Sequence, residues 1–172
     1  MSKANKSNKA IKYRLYPNDE QKVMFAKTFG CCRFVYNQLL ALQKQRYKDG
    51  ESHLSKLKSN EFATRTLKKD YDFLKEIDKF AVSNAVFHLA DAYDRFFKKQ
   101  NHFPKFKSKR KSKKSYTTNF TNNNILIGKN VIKLPKVGMV KAVIHKLPKD
   151  DWKLKSVTVS QDSVGNYFAS VL

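Results

Sequence analysis

The sequence predicts an α+β fold in which a small antiparallel β-barrel is interrupted by a helical insertion. Three observations lead to this prediction. A short segment near the start alternates apolar and polar residues with the period of a strand, the middle of the chain has the apolar period of helices, and strand patterns return after residue 120. One strand that is far in sequence from its companions is typical of a barrel with an inserted region.

The first strand is predicted over residues 9–16. Ile11, Tyr13 and Leu15 occupy every second position, which is the pattern of a strand with one buried face, and Pro17 ends the pattern. This strand precedes the helical region, so its partners are expected among the strands near the end of the chain.

A long helical region is predicted to begin after Asn18. Asn18 and Gln21 have the spacing of a capping box, in which each side chain accepts a hydrogen bond from the backbone of the other residue. The apolar pattern continues to Gly50, a residue type that commonly follows a helix end. Gly30 interrupts this region, so it is predicted to separate two helices or to kink one.

Two further helices are predicted before residue 100. A short helix is expected around residues 60–69, and the strongest helical pattern covers residues 80–99, with Pro104 after it. The apolar stripe of the stronger helix consists of Val82, Ala85, Val86, Leu89, Ala92, Tyr93 and Phe96.

About five strands are predicted after residue 120. "ILIGKNVIKL" indicates a hairpin that turns at residues 128–130, and "VGMVKAVIH" indicates another strand. "LKSVTVSQDSVGNYFASVL" indicates a second hairpin that turns at residues 162–165. These strands would complete the barrel.

The charge of the chain predicts a polyanionic partner. The sequence has 36 Lys and Arg against 14 Asp and Glu, which gives a formal net charge of +22. Residues 95–149 contain sixteen of these basic residues and no carboxylate, and such a density of like charge is tolerated mainly where an anion neutralises it. Nucleic acid is favoured over an anionic membrane, because residues 105–114 have almost no apolar side chain to enter a bilayer. Without a signal-peptide pattern, we expect a cytoplasmic, nucleoid-associated protein and no membrane partner.

Metal or cofactor chemistry is not expected from these residues. The carboxylates and the four histidines are scattered without the spacing of a metal or nucleophile site, and there is no glycine-rich phosphate loop. Cys31 and Cys32 are adjacent and have no second pair to complete a zinc site. They are interpreted as small packing residues.

The first group of candidate binding residues is the carboxylate-free run after Pro104. Its aromatic members and neighbours, Phe103, Phe106, Tyr116 and Phe120, would let the segment contact bases or sugars as well as phosphates. The alternative is a solvated linker. The members expected to bind nucleic acid are Lys105, Lys107, Lys109, Arg110, Lys111, Lys113, Lys114 and Tyr116.

The second group is suited to reading base edges. Lys79, Ser83 and Asn84 belong to the first turns of the strongest helix, the part of a recognition helix that enters a major groove, and Lys and Asn contact guanine and adenine edges. Thr121 and three asparagines stand together in "FTNNNI". Ordinary helix capping and turn formation are the alternatives for these two segments.

Seven blocks of the sequence resemble, in their order and spacing, the amino-terminal half of the OrfB/TnpB proteins encoded by bacterial and archaeal insertion sequences. The blocks are "YRLYPNDEQ", "TFGCCRFVYNQLL", "FLKEIDKFAVSNAVFHLADAYDRFFK", "FPKFKSKR", "SYTTNFTNNNILIG", "IKLPKVGMVK" and "VTVSQDSVGNYFASVL". The resemblance implies an OB-like wedge barrel interrupted by a helical recognition lobe. In these terms the first barrel strand is 1–17, the lobe is 18–102, a basic linker is 103–119, and the remainder of the barrel is 120–172.

The resemblance also implies an RNA-guided DNA endonuclease, with a guide RNA and a target double-stranded DNA as partners. Family members continue into a RuvC-like nuclease with three catalytic carboxylates and a zinc ribbon, whereas this chain stops at Leu172. Magnesium and zinc are therefore expected only in that nuclease half, which would be a further partner, and the chain alone is expected to bind without cutting. The residues matched to the reading of a short motif beside the target are Lys79, Phe80, Ser83, Asn84, Thr121 and Asn122.

Two other functions stay open at the level of sequence. The chain could be a DNA-binding regulator in which the helices around Gly30 form a helix-turn-helix, or a structural RNA-binding protein of ribosomal type. A regulator would bind its duplex without RNA, and a ribosomal-type protein would bind bulk ribosomal RNA.

Overall fold

One antiparallel sheet and a group of helices make up the structure, a computed structural model that describes residues 7–172. The α+β class is confirmed. The strands are β1 (Ile11–Tyr16), β2 (Lys114–Asn119), β3 (Leu126–Ile127), β4 (Val131–Leu134), β5 (Gly138–Val143), β6 (Ser156–Gln161) and β7 (Tyr167–Val171). They form one sheet in the order β2-β6-β7-β1-β5-β4-β3, and each neighbouring pair is antiparallel.

The sheet is open, so the predicted closure into a barrel is wrong. β2 and β3 are its two edges and do not pair with each other. The side-chain amide of Asn84 donates a hydrogen bond to the Thr117 carbonyl of β2 (2.9 Å), while β3 has only two residues. One edge is thus covered by a helix and the other is very short, and both features oppose further strand pairing.

β1 lies in the middle of the sheet, between β7 and β5. Tyr13 pairs with Ala169 and Leu15 with Ala142, and the side chains of Tyr13 and Leu15 are almost completely buried. The prediction that the first strand joins strands from the end of the chain is therefore confirmed. The helices are an insertion between β1 and the rest of the sheet.

Four α-helices form this insertion: α1 (Asp19–Lys48), α2 (Lys56–Glu61), α3 (Lys68–Asp70) and α4 (Lys79–Phe97). A π-helical turn, Phe62–Leu67, joins α2 to α3, and a 3-10 turn, Asp72–Lys75, precedes α4. The helices predicted around residues 60–69 and over residues 80–99 are confirmed. In the described part of the chain, none of the helices has the length and apolar character needed to cross a bilayer.

α1 is a single helix of 30 residues that begins at the predicted capping box. Asn18 Oδ1 accepts a hydrogen bond from the Gln21 N–H (2.9 Å), and Gln21 Oε1 accepts one from the Asn18 N–H (3.0 Å). The helix continues through Gly30, so the expected separation into two helices is wrong. An internal glycine costs about 1 kcal/mol relative to alanine, and burial of the residues on either side of Gly30 offsets this cost. Gly50 follows the helix end with a φ of +72°, as its role as a stop predicts.

The helices and the sheet share one hydrophobic core. The ring of Phe25 in α1 lies against Tyr116 of β2 and Tyr167 of β7, with ring centres 6.3 and 5.5 Å apart. Cys31 and Cys32 are free and buried, as expected for packing residues, and Cys32 Sγ donates to a backbone carbonyl of α4 (3.4 Å). Burial raises the pKa of the Cys32 thiol to about 12, so it is protonated at neutral pH.

Part of the segment predicted to be a basic linker is a strand. Residues 114–119 form β2, which pairs with β6 along its whole length, whereas residues 98–113 contain no helix or strand. Tyr116 and Thr118 point inward from β2 and are buried. These two inward side chains join β2 to the core. The strand has only these two apolar or inward positions and follows a run of lysines, so its alternation of buried and exposed residues is hard to recognise in the sequence.

Candidate nucleic-acid interface

Two of the predicted binding segments meet at one cavity. The start of α4, the loop over residues 120–125 and the turn between β4 and β5 line a cavity of about 420 Å³, which we call the basic cleft. Its lining residues are Lys68, Lys75, Ile77, Asp78, Lys79, Phe80, Asn124, Pro135 and Lys136. Four lysines against one carboxylate make the cleft positive, which suits a ligand that carries phosphates.

The start of α4 contributes Lys79 and Phe80 to the cleft. Lys79 is exposed, and its Nζ lies 5.2 Å from the centre of the Phe80 ring. Asp78 precedes the helix and is 7% exposed, but its side chain does not cap the first turn, and its Oδ2 has no hydrogen-bond partner within residues 7–172. The N–H groups of the first turn therefore keep their partial positive charge, which adds to the positive field of the lysines.

Asn124 holds the neighbouring loop in its shape. Asn124 Oδ1 accepts a hydrogen bond from the Thr121 N–H (2.8 Å), and Asn124 Nδ2 donates to the Asn119 carbonyl (2.9 Å). Asn122 and Asn123 are exposed and have φ angles of +46° and +54°, a left-handed conformation that asparagine tolerates better than most residues. The asparagines thus form a turn, as one of the two interpretations predicts, and the turn presents the Asn122 side chain at the surface.

Ser83 and Asn84 do not line the cleft. The Asn84 amide faces β2, where Nδ2 donates to the Thr117 carbonyl (2.9 Å) and to Asn119 Oδ1 (3.1 Å). Asn119 also accepts a hydrogen bond from Asn124, so a chain of hydrogen bonds runs from α4 through β2 to the loop. The Asn84 amide donor is thus engaged within the protein, and a base contact by Asn84 stays a prediction.

The basic run is anchored to α1 at Lys107. The Lys107 N–H donates to Asn37 Oδ1 (2.8 Å), Asn37 Nδ2 donates to the Lys107 carbonyl (2.9 Å), and Lys107 Nζ lies 4.2 Å from the centre of the Tyr36 ring. Burial lowers the pKa of Lys107 from its usual value. This side chain is therefore less available to phosphates than its neighbours. The exposed basic members of the run are Lys105, Lys109, Arg110, Lys111, Lys113 and Lys114.

The aromatic residues near the run divide into buried and exposed ones. Tyr116 is 3% exposed and packs against Phe25 and Phe29, so its burial excludes the predicted contact with nucleic acid. Burial also raises the pKa of Tyr116 well above its ordinary value. Phe106, in contrast, is 52% exposed, and Lys44 Nζ lies 5.0 Å from its ring centre. Phe106 is therefore a ring that a base or sugar can reach beside a cation.

Nothing in the sequence distinguishes three of the cleft lysines as binding residues. Lys68 and Lys75 precede α4, and Lys136 lies in the turn between β4 and β5 with a φ of +67°. Lys75 Nζ also bonds to Asp72 Oδ1 (2.7 Å), an exposed ion pair that is easily exchanged for a phosphate. Among 36 basic residues, only the fold distinguishes the members that converge on one ligand.

Two histidines with shifted pKa values do not add positive charge to this surface, and the described residues form no group that could bind a metal ion. Burial lowers the pKa of His53 and of His88 below the usual value, so both imidazoles are neutral at physiological pH. Among residues 7–172, no three His, Cys, Asp or Glu side chains form a group that could hold a metal ion. The positive charge of the surface therefore comes from lysine and arginine.

Residues 5–52 match the helix-turn-helix domain of the OrfB/IS605 type. In the described part of this match, the structure contains β1 and the uninterrupted helix α1. A helix-turn-helix centred on Gly30 is therefore not present in residues 7–52, and the name belongs to the matched domain rather than to the geometry of α1.

Three curated proteins are similar to the chain. A protein of Streptomyces pristinaespiralis, provisionally named RNA-guided DNA endonuclease, is 31% identical over 166 residues, which is 95% of this chain and 41% of that protein. InsQ of Escherichia coli strain K12, with the same provisional name, is 30% identical over 169 residues, which is 94% of this chain and 39% of InsQ. The virulence protein VsdF of Salmonella dublin is 32% identical over 111 residues, which is 59% of this chain and 93% of VsdF. The chain thus spans about two fifths of the length of the first two relatives.

Proposed function

Because the chain belongs to the OrfB/TnpB family of transposon-encoded proteins, we propose that it is the nucleic-acid-recognition portion of an RNA-guided DNA endonuclease. Its partners in this proposal are a guide RNA and the double-stranded DNA target. The observation that carries the proposal is the basic cleft, where the start of α4 and the loop over residues 120–125 lie on one positive surface. These are two segments whose residue types suit base edges.

The basic cleft is assigned to the DNA duplex beside the target. Lys79 lies in the first turn of α4, where a recognition helix contacts base edges, and a lysine there can bond to guanine O6 or N7. Asn122 and Thr121 belong to the loop that Asn124 braces, and an asparagine can bond to adenine N6 and N7. Phe80 supports Lys79 through the contact between its ring and the ammonium group. Lysines that only reach phosphates would hold the duplex without reading it.

The basic run is assigned to phosphates of the guide RNA and of the duplex that it forms with the target. Its six exposed cations lie on a segment without carboxylates, and Phe106 adds an exposed ring. Such contacts bind all sequences and weaken as salt rises, because each neutralised phosphate releases counterions. A guide of any sequence can therefore be held, which is what recognition by base pairing to the target requires.

A substitution at Asn122 tests the reading of bases. Asn122→Gly removes the amide and keeps a residue that accepts the positive φ, so backbone strain does not obscure the result. On chain loaded with guide RNA, the preferred adjacent motif is first selected from a randomised duplex library. We expect the variant to lose about 1–3 kcal/mol on that motif and much less on scrambled duplex.

Asn123→Gly is the matched control, since Asn123 is also exposed and left-handed. Both variants are titrated at one salt concentration against preferred and scrambled duplex. If Asn122→Gly keeps the parental ratio of the two affinities while Tm is unchanged, Asn122 is a turn residue and the assignment of base reading to it fails.

The chain by itself is proposed to bind without cleaving, with the nuclease half as a separate contribution. Its carboxylates do not converge on the cleft, where Asp78 is the single acidic lining residue, and Asp150 and Asp151 are exposed and do not line it. Purified chain with guide RNA and Mg²⁺ should leave a target duplex intact on a denaturing gel. Cleavage that persists in a preparation shown to be free of contaminating nuclease would contradict this part of the proposal.

A further inference from the structure

The sheet has a second face, which belongs to neither the basic cleft nor the basic run. In β1 the buried side chains are Tyr13 and Leu15, so Lys12, Arg14 and Tyr16 lie on the opposite side. The same alternation places Met139, Lys141 and Val143 of β5 and Phe168 and Ser170 of β7 on this side. We call it the outer sheet face, and its members used below are Lys12, Arg14, Tyr16, Lys141, Phe168 and Ser170.

The outer sheet face is positive and has no acidic side chain in its strands. Within the described residues, none of the seven strands contains Asp or Glu. The strand register places Tyr16 opposite Lys141 and Arg14 opposite Phe168. Each ring therefore lies beside a cation of the neighbouring strand. A surface with this charge attracts a polyanion.

Arg14 is held between two aromatic rings. Its guanidinium carbon lies 5.0 Å from the centre of the Tyr16 ring and 5.4 Å from that of Phe168. Arg14 Nη2 donates to Asn166 Oδ1 (2.6 Å), and Asn166 is held in turn by the carboxylate of Asp162. The guanidinium is thus fixed before any ligand arrives, and this arrangement offers a row of flat groups for stacking.

The Tyr16 ring is exposed, whereas the Phe168 ring is half-buried beside two cations. Tyr16 is 52% exposed, and Lys12 Nζ lies 4.4 Å from the centre of the Phe168 ring. An exposed cation–π contact changes an equilibrium constant by about two- to fivefold, whereas stacking of a base on an aromatic side chain changes it by about 5- to 150-fold. Stacking of a base on Phe168 would therefore outweigh its contact with Lys12, whose ammonium group would then be free to bind an adjacent phosphate.

We propose that the outer sheet face binds unpaired nucleotides of RNA. Bases stack on Tyr16 and Phe168, Arg14 stacks between them, and Lys12 and Lys141 contact phosphates. Hydroxyl groups favour RNA over DNA, because the register brings Ser160 beside Phe168 and Ser170 beside Lys12, where they can bond to the ribose 2′-OH. The inference rests on the proposed function and adds to it, since it assigns a separate surface to the RNA partner.

Binding of a short probe tests this surface directly. The probe is a fluorescein-labelled RNA of about 12 nucleotides without self-complementarity, the length that a single sheet surface of this kind covers. The same sequence as single-stranded DNA and as duplex DNA gives the two comparisons. The variant is Tyr16→Leu with Phe168→Leu, which removes the rings and keeps apolar side chains, and Tyr47→Ala is the control because Tyr47 is 85% exposed at the end of α1.

We expect the double variant to bind the RNA probe about 5- to 150-fold more weakly at fixed salt, and duplex DNA with little change. The control should match the parent. Photo-crosslinking of the unsubstituted chain to the same probe, followed by peptide mass spectrometry, should place crosslinks in β1 and β7, and this measurement does not depend on folding of the variant.

Unchanged RNA affinity in the folded double variant would overturn the inference, as would crosslinks confined to residues outside the strands. Equal losses on RNA, single-stranded DNA and duplex would also overturn it, because the rings would then contribute no stacking specific to RNA. The proposed function fails on a different result, namely the absence of any motif preference in the guide-loaded chain. The two failures are therefore distinguishable.

Discussion

Asn84 is the residue for which the structure changes the expectation most, and its substitution gives a direct test. Asn84→Ala removes two hydrogen bonds, to the Thr117 carbonyl and to Asn119 Oδ1, and so weakens the attachment of α4 to the edge strand β2. The Asn119 carbonyl also accepts a hydrogen bond from Asn124, the residue that holds the loop over residues 120–125 in its shape. The substitution should therefore reduce stability and loosen the loop together.

The magnitude follows from the two bonds. Each intramolecular hydrogen bond contributes about 1 kcal/mol net, so Asn84→Ala should lower the free energy of unfolding by about 2 kcal/mol. For a chain of this size, 1 kcal/mol corresponds to about 2–4 °C in Tm, which predicts a decrease of about 4–8 °C. Ser83→Ala, at the neighbouring half-buried position of the same helix, should change the free energy of unfolding by less than about 0.5 kcal/mol.

Calorimetry and urea unfolding measure this effect, and binding to preferred and scrambled duplex measures its consequence for the loop. We expect Asn84→Ala to lose stability first and motif preference with it. If the variant keeps the parental Tm but loses preference for the motif, Asn84 contacts bases directly and the positioning role is refuted. If both Tm and preference are unchanged, the hydrogen-bond chain from α4 to the loop has no energetic importance.

Four further predictions test other surfaces and groups. Replacing Lys105, Lys109 and Arg110 together with alanine should lower the slope of log affinity against log salt on duplex DNA by about 2–3, and an unchanged slope would return the run to a solvated linker. Lys136→Gly, which keeps the positive φ, should lower that slope by about 1, with Lys129→Gly in the exposed β3–β4 turn as the control. Burial raises the pKa of Cys31 to about 11 and that of Cys32 to about 12, so native protein at pH 8 should not react with a thiol reagent that reacts with the unfolded chain. These folded-state pKa values lie above the ordinary value of 9.0, so the two protonated thiols contribute stability below pH 9, and this contribution is lost as pH rises towards 12. The urea midpoint of unfolding should therefore decrease between pH 9 and pH 12. The decrease should be larger in the parent protein than in a Cys32→Ala variant.

Local signals in the sequence were sufficient for most of the elements. The capping box at Asn18, the stripe of α4 and the two hairpin turns each depend on residues within a few positions of one another, and all four appear in the structure. Gly30 led to the prediction of two helices or of one kinked helix. The separation into two helices is wrong, because the helix propensity of one residue amounts to about 1 kcal/mol and the burial of its neighbours in the core contributes more. β2 was not predicted, because its two inward residues directly follow a run of lysines and give only a short strand pattern.

The candidate site was predictable only in part. Lys79, Phe80 and Asn122 carry residue types that suit nucleic acid, and their segments do lie at one cleft or its bracing loop. Tyr116 and Asn84 carry equally suitable side chains, yet one is in the core and the other bonds to β2. A sequence states which groups are present, but burial and the direction of a side chain depend on distant parts of the chain.

By itself the sequence determined the α+β class, the interrupted sheet, the excess of positive charge and the family, since these depend on composition, local period and ordered blocks of residues. Only the tertiary structure decided that the sheet stays open, that Lys68, Lys75 and Lys136 join Lys79 at one cleft, and that Arg14 is held between Tyr16 and Phe168. The physical reason is that these features are contacts between residues far apart in sequence. Their energies arise when strands pair and helices cover an edge, and no window of neighbouring residues contains them.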